Sequence, residues 1–489
     1  MGSSLRSWLR ADPWRALLVL VAACYGVAQL IVVTPGMGLG WDEVVYVSQV
    51  DPRVPATEFI APRARGITLI VGPLVAITSS TEALRVYLCL LSALALYASF
   101  GTWRRVCPGP VVPLAALLFA SLWLSLFYGG QVMPNLWVAF GAVAATGCLL
   151  RCLRPGGGWG PAAGLGASVA AVAVLRPPDS VWLALALALA AVLARRWRAG
   201  LAVNAGLAAG WADWIVEAYV RFDGPAARWH AAGAANETGL HFSLPEHARA
   251  LNGPLLCRPP AHCGPVSLSW LLWWSAIPLL ALLGLYAAHR RGRLAECALP
   301  AAAGLLMAVP YAFLVGYAAP RFLLPTYALL AFPLAHGAVF LLDGRRGPAR
   351  RAGWGLVAAG VLAQFTLQGI TLEKIAGWRL SKREADAEVA RALRVQPPCL
   401  VYGEHAAMIA YRTGCEAHAV LRWPQEAQPP GAVRGALAAG KHVVAVNRGH
   451  PTPAPFLRSW VRARLPGAHP GRWHAYYPHP EEGGRPSAG

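Results

Sequence analysis

Along its first 371 residues the chain alternates between uncharged apolar runs and short clusters of arginine. The runs have the length that a bilayer's hydrocarbon core asks of a helix, roughly 17–25 residues. In lipid every backbone N–H and C=O must find a partner within its own helix or within a closed barrel. Barrel strands alternate apolar and polar residues over about ten positions. The run LLVLVAACYGVAQLIVV (17–33) does not alternate. The runs are read as helices.

They fall at 16–34, 83–101, 111–129, 136–152, 159–175, 180–194, 199–218, 267–288, 297–316, 322–342 and 352–371, about eleven spans. Alternate connections hold Arg104 and Arg105, Arg151 and Arg154, Arg195, Arg196 and Arg198, Arg290, Arg291 and Arg293, and Arg345, Arg346, Arg350 and Arg351. The short connections between them carry at most one arginine. Basic loops stay cytoplasmic, so a cytoplasmic N-terminus accounts for every connection at once. Arg6, Arg10 and Arg15 precede the first run. A cleaved signal peptide is the rival reading, but the run has full span length and no small-x-small site obviously follows it. Three larger pieces then lie outside: 35–82, 219–266 and the tail from 372. The expectation is a multi-pass protein of the plasma membrane, with a transmembrane domain over 1–371 and an extracytoplasmic domain over 372–489.

Charge supports this assignment. Charged residues are 13% of the chain, against about a quarter in soluble domains. The net charge of +20 is nearly all arginine, with lysine only at 374, 382 and 441. Much of it sits in short loops, which fits topogenic charge and anionic membrane lipid; nucleic acid is not an expected partner.

The tail reads as a small α/β domain. SKREADAEVARALR (381–394) has apolar residues at helical spacing, CLVYG (399–403) and HVVAVN (442–447) read as strands, and EHAAMIAYRTG (404–414) as a helix stopped by Gly414. The β-α order suggests a parallel sheet. Cys257 and Cys263 in one outer loop, and Cys399 and Cys415 in the tail, form two local pairs outside the membrane. Disulfides are the expectation in an oxidising compartment, with free buried thiols as the alternative.

Chemistry concentrates in the first outer loop. GMGLGWDEVVY (36–46) places Asp42 and Glu43 just past the first span, followed by Arg53, Arg63 and Arg65, a short apolar segment (67–78) suited to the membrane surface, and Arg85 at the start of the second span. Carboxylates and arginines at one membrane face suit an anionic lipid and a hydroxyl nucleophile; solvated loop charges and interfacial anchors are the bland alternative. Arg63 and Arg65 are two apart after Pro62, so an extended backbone would point both the same way, toward one phosphate.

WDEVVY followed by a surface helix and EALRVYL (82–88) resembles the first-loop signature of the GT-C glycosyltransferases, in particular the protein O-mannosyltransferase-like branch. PRFLLPTYALLAFPL (320–334) is similar to the Arg-aromatic-Leu-Leu-Pro start of a late span in these enzymes, and the outside α/β tail resembles bacterial members. The resemblance implies a GT-C-like polytopic helical protein that transfers a sugar, with inversion, from a polyprenyl phosphate to an acceptor hydroxyl on the extracytoplasmic face. It implies Asp42 as general base with Glu43 orienting it or binding sugar, and Arg63, Arg65, Arg85 and Arg321 on the donor phosphate. Tyr46, Asn135, Asp213 and Glu217 are the candidate substrate contacts. The sugar, hexosyl or pentosyl, stays open, as does an acceptor that is glycan, protein or lipid. Many members carry a second acidic residue between the third and fourth spans, where GGQVMPNLW (129–137) has Asn135. Asn cannot act as a base, so neither a second catalytic carboxylate nor a metal or other cofactor is expected.

Asp213 and Glu217 are i,i+4 at the outer end of the seventh span, facing either the cavity or the interface. Gln364 and Gln368 are read as interhelical hydrogen-bonders. His336 is read as a packing residue, with no second His or Cys on its face for a metal. A transporter or flippase of a lipid-linked substrate is the alternative function. It favours internal repeats and broken helices, and the sequence shows neither.

Overall fold

The computed structural model describes residues 12–343, 348–420, 423–449, 454–465 and 473–479. Arg6, Arg10, Arg345 and Arg346, and the terminal 481–489, lie outside them. Contacts divide the chain into two units. One holds residues up to 35, 61–67 and 85–375; the other holds 36–60, 68–84 and the chain from 376 on.

Each expected span coincides with helix. Among the described residues seven helices are long and apolar enough to cross a membrane: Pro13–Val33, Thr81–Gly101, Pro134–Leu153, Leu268–Arg290, Ala295–Phe313, Pro320–Leu342 and Arg350–Ala392. Trp159–Leu175 and Pro177–Leu193 are apolar but shorter, and Trp197–Arg221 is a helix of mixed character.

The run at 111–129 is not one straight helix, contrary to the expectation of no broken spans. Val111–Ala120 and Trp123–Gly129 meet at 74°, because Leu122 between them is extended (ψ 132°). The break frees backbone groups that lipid cannot satisfy, and two glutamines on the last membrane helix answer them. Gln368 Oε1 accepts the Trp123 amide at 2.9 Å. Gln364 donates to Ser121 Oγ at 3.2 Å while its Oε1 accepts from the Trp273 indole at 2.5 Å. The interhelical role expected of these residues is thus observed.

The arginine-bearing connections meet at one end of the first unit. Arg154 and Arg293 both donate to the carbonyl of Val106, and Arg196 donates to that of Leu153. At the end where the longer loops lie, Glu217 near the end of Trp197–Arg221 is held by Arg65 at 2.7 Å and Arg228 at 2.8 Å. Arg228 is fully buried and also donates to the carbonyls of Trp214 and Arg63. Cys257 and Cys263 are bonded, with Cα atoms 5.6 Å apart.

The span at 352–371 and the expected helix at 381–394 are one continuous helix, Pro348–Ala392. No proline follows Pro348 until Pro397, so nothing interrupts the ladder. Its far end packs on a five-stranded sheet: β1 Cys399–Gly403, β2 Glu416–Ala419, β3 His442–Arg448, β4 Val461–Arg464 and β5 Trp473–Tyr477, in the order β2-β1-β3-β5-β4. β2, β1 and β3 are parallel, as the β-α order suggested, but β5 and β4 run antiparallel. One face packs Val401, Val444 and Val446 against Val389, Leu393 and Ile409; the other packs Leu400, Tyr402 and Val443 against Val433 and Phe456. Gly414, at φ 72°, ends the helix Ala406–Thr413, and Cys399 and Cys415 are bonded with Cα atoms 4.8 Å apart.

Removing Glu217 strands a buried guanidinium. Glu217→Ala should cost about 3–5 kcal/mol, whereas Glu217→Leu combined with Arg228→Met should recover most of it. Thermal unfolding in detergent reads both, and a single variant as stable as the parent would refute the pairing.

Candidate active site

The chain leaves the first span through Gly36, Gly38 and Gly40, and these alternate glycines let the loop lie flat on the long helix. A Cβ on Gly36 would stand 2.6 Å from Leu380 Cδ1, one on Gly38 2.7 Å from Arg383 Cγ, and one on Gly40 2.5 Å from Arg379 Nη2. Gly36, at φ 70°, also offers its carbonyl to Arg383. The helix Trp41–Ser48 starts there. Glu43 turns back on it, accepting the Gly40 amide at 2.8 Å, and lies 3.8 Å from Arg379.

Glu43 is 2% exposed, and its carboxylate accepts at the helix start. Asp42 sits partly exposed in the same first turn, where the helix N-terminus favours negative charge. Tyr46 is buried edge-on against Phe59, with ring centroids 6.0 Å apart.

Farther along the loop, Asp51 accepts from Arg53 Nε and from the Tyr411 hydroxyl, each at 2.7 Å. Burial alone would raise its carboxyl; the hydrogen bonds from Arg53 and Tyr411 outweigh it and hold the group below the usual carboxylate value.

Asp42, Glu43 and Tyr46 belong to the second unit, and Arg63, Arg65, Arg85, Asn135, Asp213, Glu217 and Arg321 to the first. Within the first, the expected joint grip of Arg63 and Arg65 is modified: Arg65 is tied to Glu217, and the Arg63 carbonyl is held by Arg228. Glu217 is not open to substrate, because two guanidiniums take its oxygens. Asp213, one turn earlier, is exposed and outside that cluster.

Arg85 is 1% exposed and donates to the Gly130 carbonyl at 2.6 Å. Arg321 is partly buried, 3.3 Å from the Leu255 carbonyl and over the Phe322 ring. Asn135, in the first turn of Pro134–Leu153, is 1% exposed, and neither polar atom of its amide has a hydrogen-bond partner among the described residues.

Neither a family profile nor a curated protein matches the sequence. Solved structures do match. ArnT from Cupriavidus metallidurans, crystallised with undecaprenyl phosphate, aligns over 95% of this chain and 98% of its own with a TM-score of 0.63 and 12% identity. The oligosaccharyltransferase AglB from Archaeoglobus fulgidus, in complex with an inhibitory peptide and a dolichol-phosphate, aligns over 90% of this chain and 70% of its own, with a TM-score of 0.55 and 14% identity.

The chain has the GT-C fold.

At 135 the chain brings a neutral amide where the resemblance would place a carboxylate. His336 differs from expectation. Cys107 and Glu296 come to it from other elements, at 3.8 Å and 3.9 Å. Glu296 is also bound by Arg154 at 3.1 Å and Arg293 at 2.8 Å, so His336 sits in a hydrogen-bonded cluster and is not a lone packing residue.

Sequence reasoning did not foresee Arg379, Arg383 or Arg228. The i,i+4 spacing of Arg379 and Arg383 and the period-two glycines of GMGLG were the available signals for the first two; nothing marked Arg228.

The glycine approach predicts that Gly38→Val costs about 1–3 kcal/mol through overpacking. Hydrogen exchange should rise first in the amides of 40–44. Unchanged protection there would contradict the close approach.

Proposed function

We propose that this protein is an inverting glycosyltransferase of the plasma membrane that moves a sugar from a polyprenyl phosphate to an acceptor hydroxyl on the outer face. In this reading the N-terminus is cytoplasmic, all eleven helical segments are counted as spans, and the sheet domain is extracytoplasmic. The observation that carries it is the helix start at Gly40, where a buried Glu43 accepts the Gly40 amide beside a partly exposed Asp42, just after the first span of a GT-C fold.

The chemistry is a single displacement. The acceptor oxygen attacks the anomeric carbon as its proton passes to the Asp42 carboxylate. The bond from that carbon to the phosphate oxygen breaks, and the electron pair leaves with the lipid phosphate. Attack opposite the leaving group inverts the anomeric centre. Guanidiniums suit the charge that develops on the phosphate; Arg63, Arg85 and Arg321 are assigned to it, with Arg65 held at its edge by Glu217. Glu43 acts by positioning Asp42. No metal or other cofactor is assigned.

The broken span at 111–129 favours the transporter reading, because transporters bind substrate at such breaks. Here Gln368 accepts the freed Trp123 amide and Gln364 donates to the Leu118 carbonyl, which leaves little for a substrate, and the transferase reading is preferred.

Asp42→Asn keeps size and fold and should lower sugar transfer by about 10²–10⁴-fold, measured with purified protein in nanodiscs against polyprenyl-phosphate sugars. Transfer near the parent rate would remove Asp42 from the reaction. Arg321→Ala should instead raise the donor concentration required, and an unchanged donor dependence would remove Arg321 from the phosphate site.

A further inference from the structure

Beside the acidic helix, within the second unit, lies a cavity of about 200 Å³. That is below the roughly 300–1,000 Å³ of sites that enclose a whole small molecule, so it suits one group of a larger substrate. Leu39, Val44 and Met408 form an apolar wall. The polar side is unusual in its balance of charge. Arg383 and Arg412 both line the cavity, against the single carboxylate of Asp386, and that carboxylate already accepts from His405 Nδ1 at 2.8 Å. Arg412 donates no hydrogen bond among the described residues. Partial burial and the like charge of Arg383 draw its guanidinium below the ordinary arginine value, with Asp386 opposing. The hydroxyls of Ser79 and Thr81 stand at the same cavity.

We propose that this cavity binds an oxyanion, a phosphate or carboxylate group borne by the acceptor. Guanidiniums offer such a group paired, charge-assisted hydrogen bonds, and its charge relieves the repulsion between Arg383 and Arg412. The assignment to the acceptor rests on the function proposed above. Leu39 and Val44 flank Asp42 in sequence, and Val44 follows it by only about 3 Å of helix rise, so a substrate anchored here has its hydroxyl delivered to the same short helix. The arginines assigned to the donor phosphate are a different set.

Met408 reports on the cavity directly and is one of five methionines. Full-length protein labelled with methyl-¹³C methionine is placed in phosphatidylcholine nanodiscs, with the Met408 resonance assigned through Met408→Leu. Inorganic phosphate and acetate are then titrated, and a second set of discs contains phosphatidylglycerol. A saturable shift of Met408 with the soluble anions identifies a soluble anionic acceptor group. A shift only in phosphatidylglycerol discs identifies a lipid headgroup. Either supports the site.

Arg412→Gln should weaken the response at least tenfold and Arg412→Lys should retain most of it. No saturable shift in any arm, or an undiminished one in Arg412→Gln, overturns the proposal. The Asp42→Asn transfer assay is read separately. Anion binding beside transfer that ignores Asp42→Asn would overturn the catalytic reading, and with it the acceptor assignment, while the anion site itself would stand.

Discussion

Hydrocarbon gives a peptide group nothing to bond to, so every irregularity in a membrane helix needs an answer from elsewhere in the protein. The first unit is organised by that demand. Where the run at 111–129 bends, Gln368 and Gln364 supply the missing partners. Where helices end, guanidiniums take the last carbonyls: Arg154 and Arg293 from neighbouring connections at Val106, Arg196 at Leu153, and Arg85, from within a helix, at Gly130. The arginine surplus that marks the loops in the sequence is therefore structural, since these side chains close the ends of neighbouring helices.

Periodic features were legible in the sequence and tertiary ones were not. Span-length apolar runs, the strands at 399–403 and 442–447 and the helix stop at Gly414 are local patterns with local causes, and all appear where the pattern puts them. The bend at Leu122 escaped because an apolar run reads the same straight or broken; only the distant glutamines permit it. The fusion of 352–371 with 381–394 escaped because a change from apolar to charged residues looks like a boundary, although nothing in it breaks a helix. The antiparallel strands β4 and β5 lie in short segments with no strong alternation of their own.

The candidate site divides along the same line. Asp42 and Glu43 were visible as adjacent carboxylates after an apolar run; that Glu43 folds back on the Gly40 amide was not. The pairing of Glu217 with Arg65 and with the buried Arg228 was not visible, because sequence cannot show that distant guanidiniums converge on one carboxylate. The glycines of GMGLG tie the acidic helix to Arg379 and Arg383, so the helix that carries Asp42 and the helix that leads into the sheet domain are set by one packing contact. The sheet domain is thus coupled to the geometry of the carboxylate even though it contributes none of the carboxylates assigned to the chemistry.

The glutamine clasp at the bent span also sets an order of manufacture. Trp123 is translated 245 residues before Gln368, the residue that receives its amide. Until the ribosome has delivered the last membrane helix, the bend has only water, a translocon wall or a chaperone to satisfy it. A nascent chain stalled or cleaved before that point carries an open defect in its third span, so the finished bundle can be told from an unfinished one by whether that amide has found its partner.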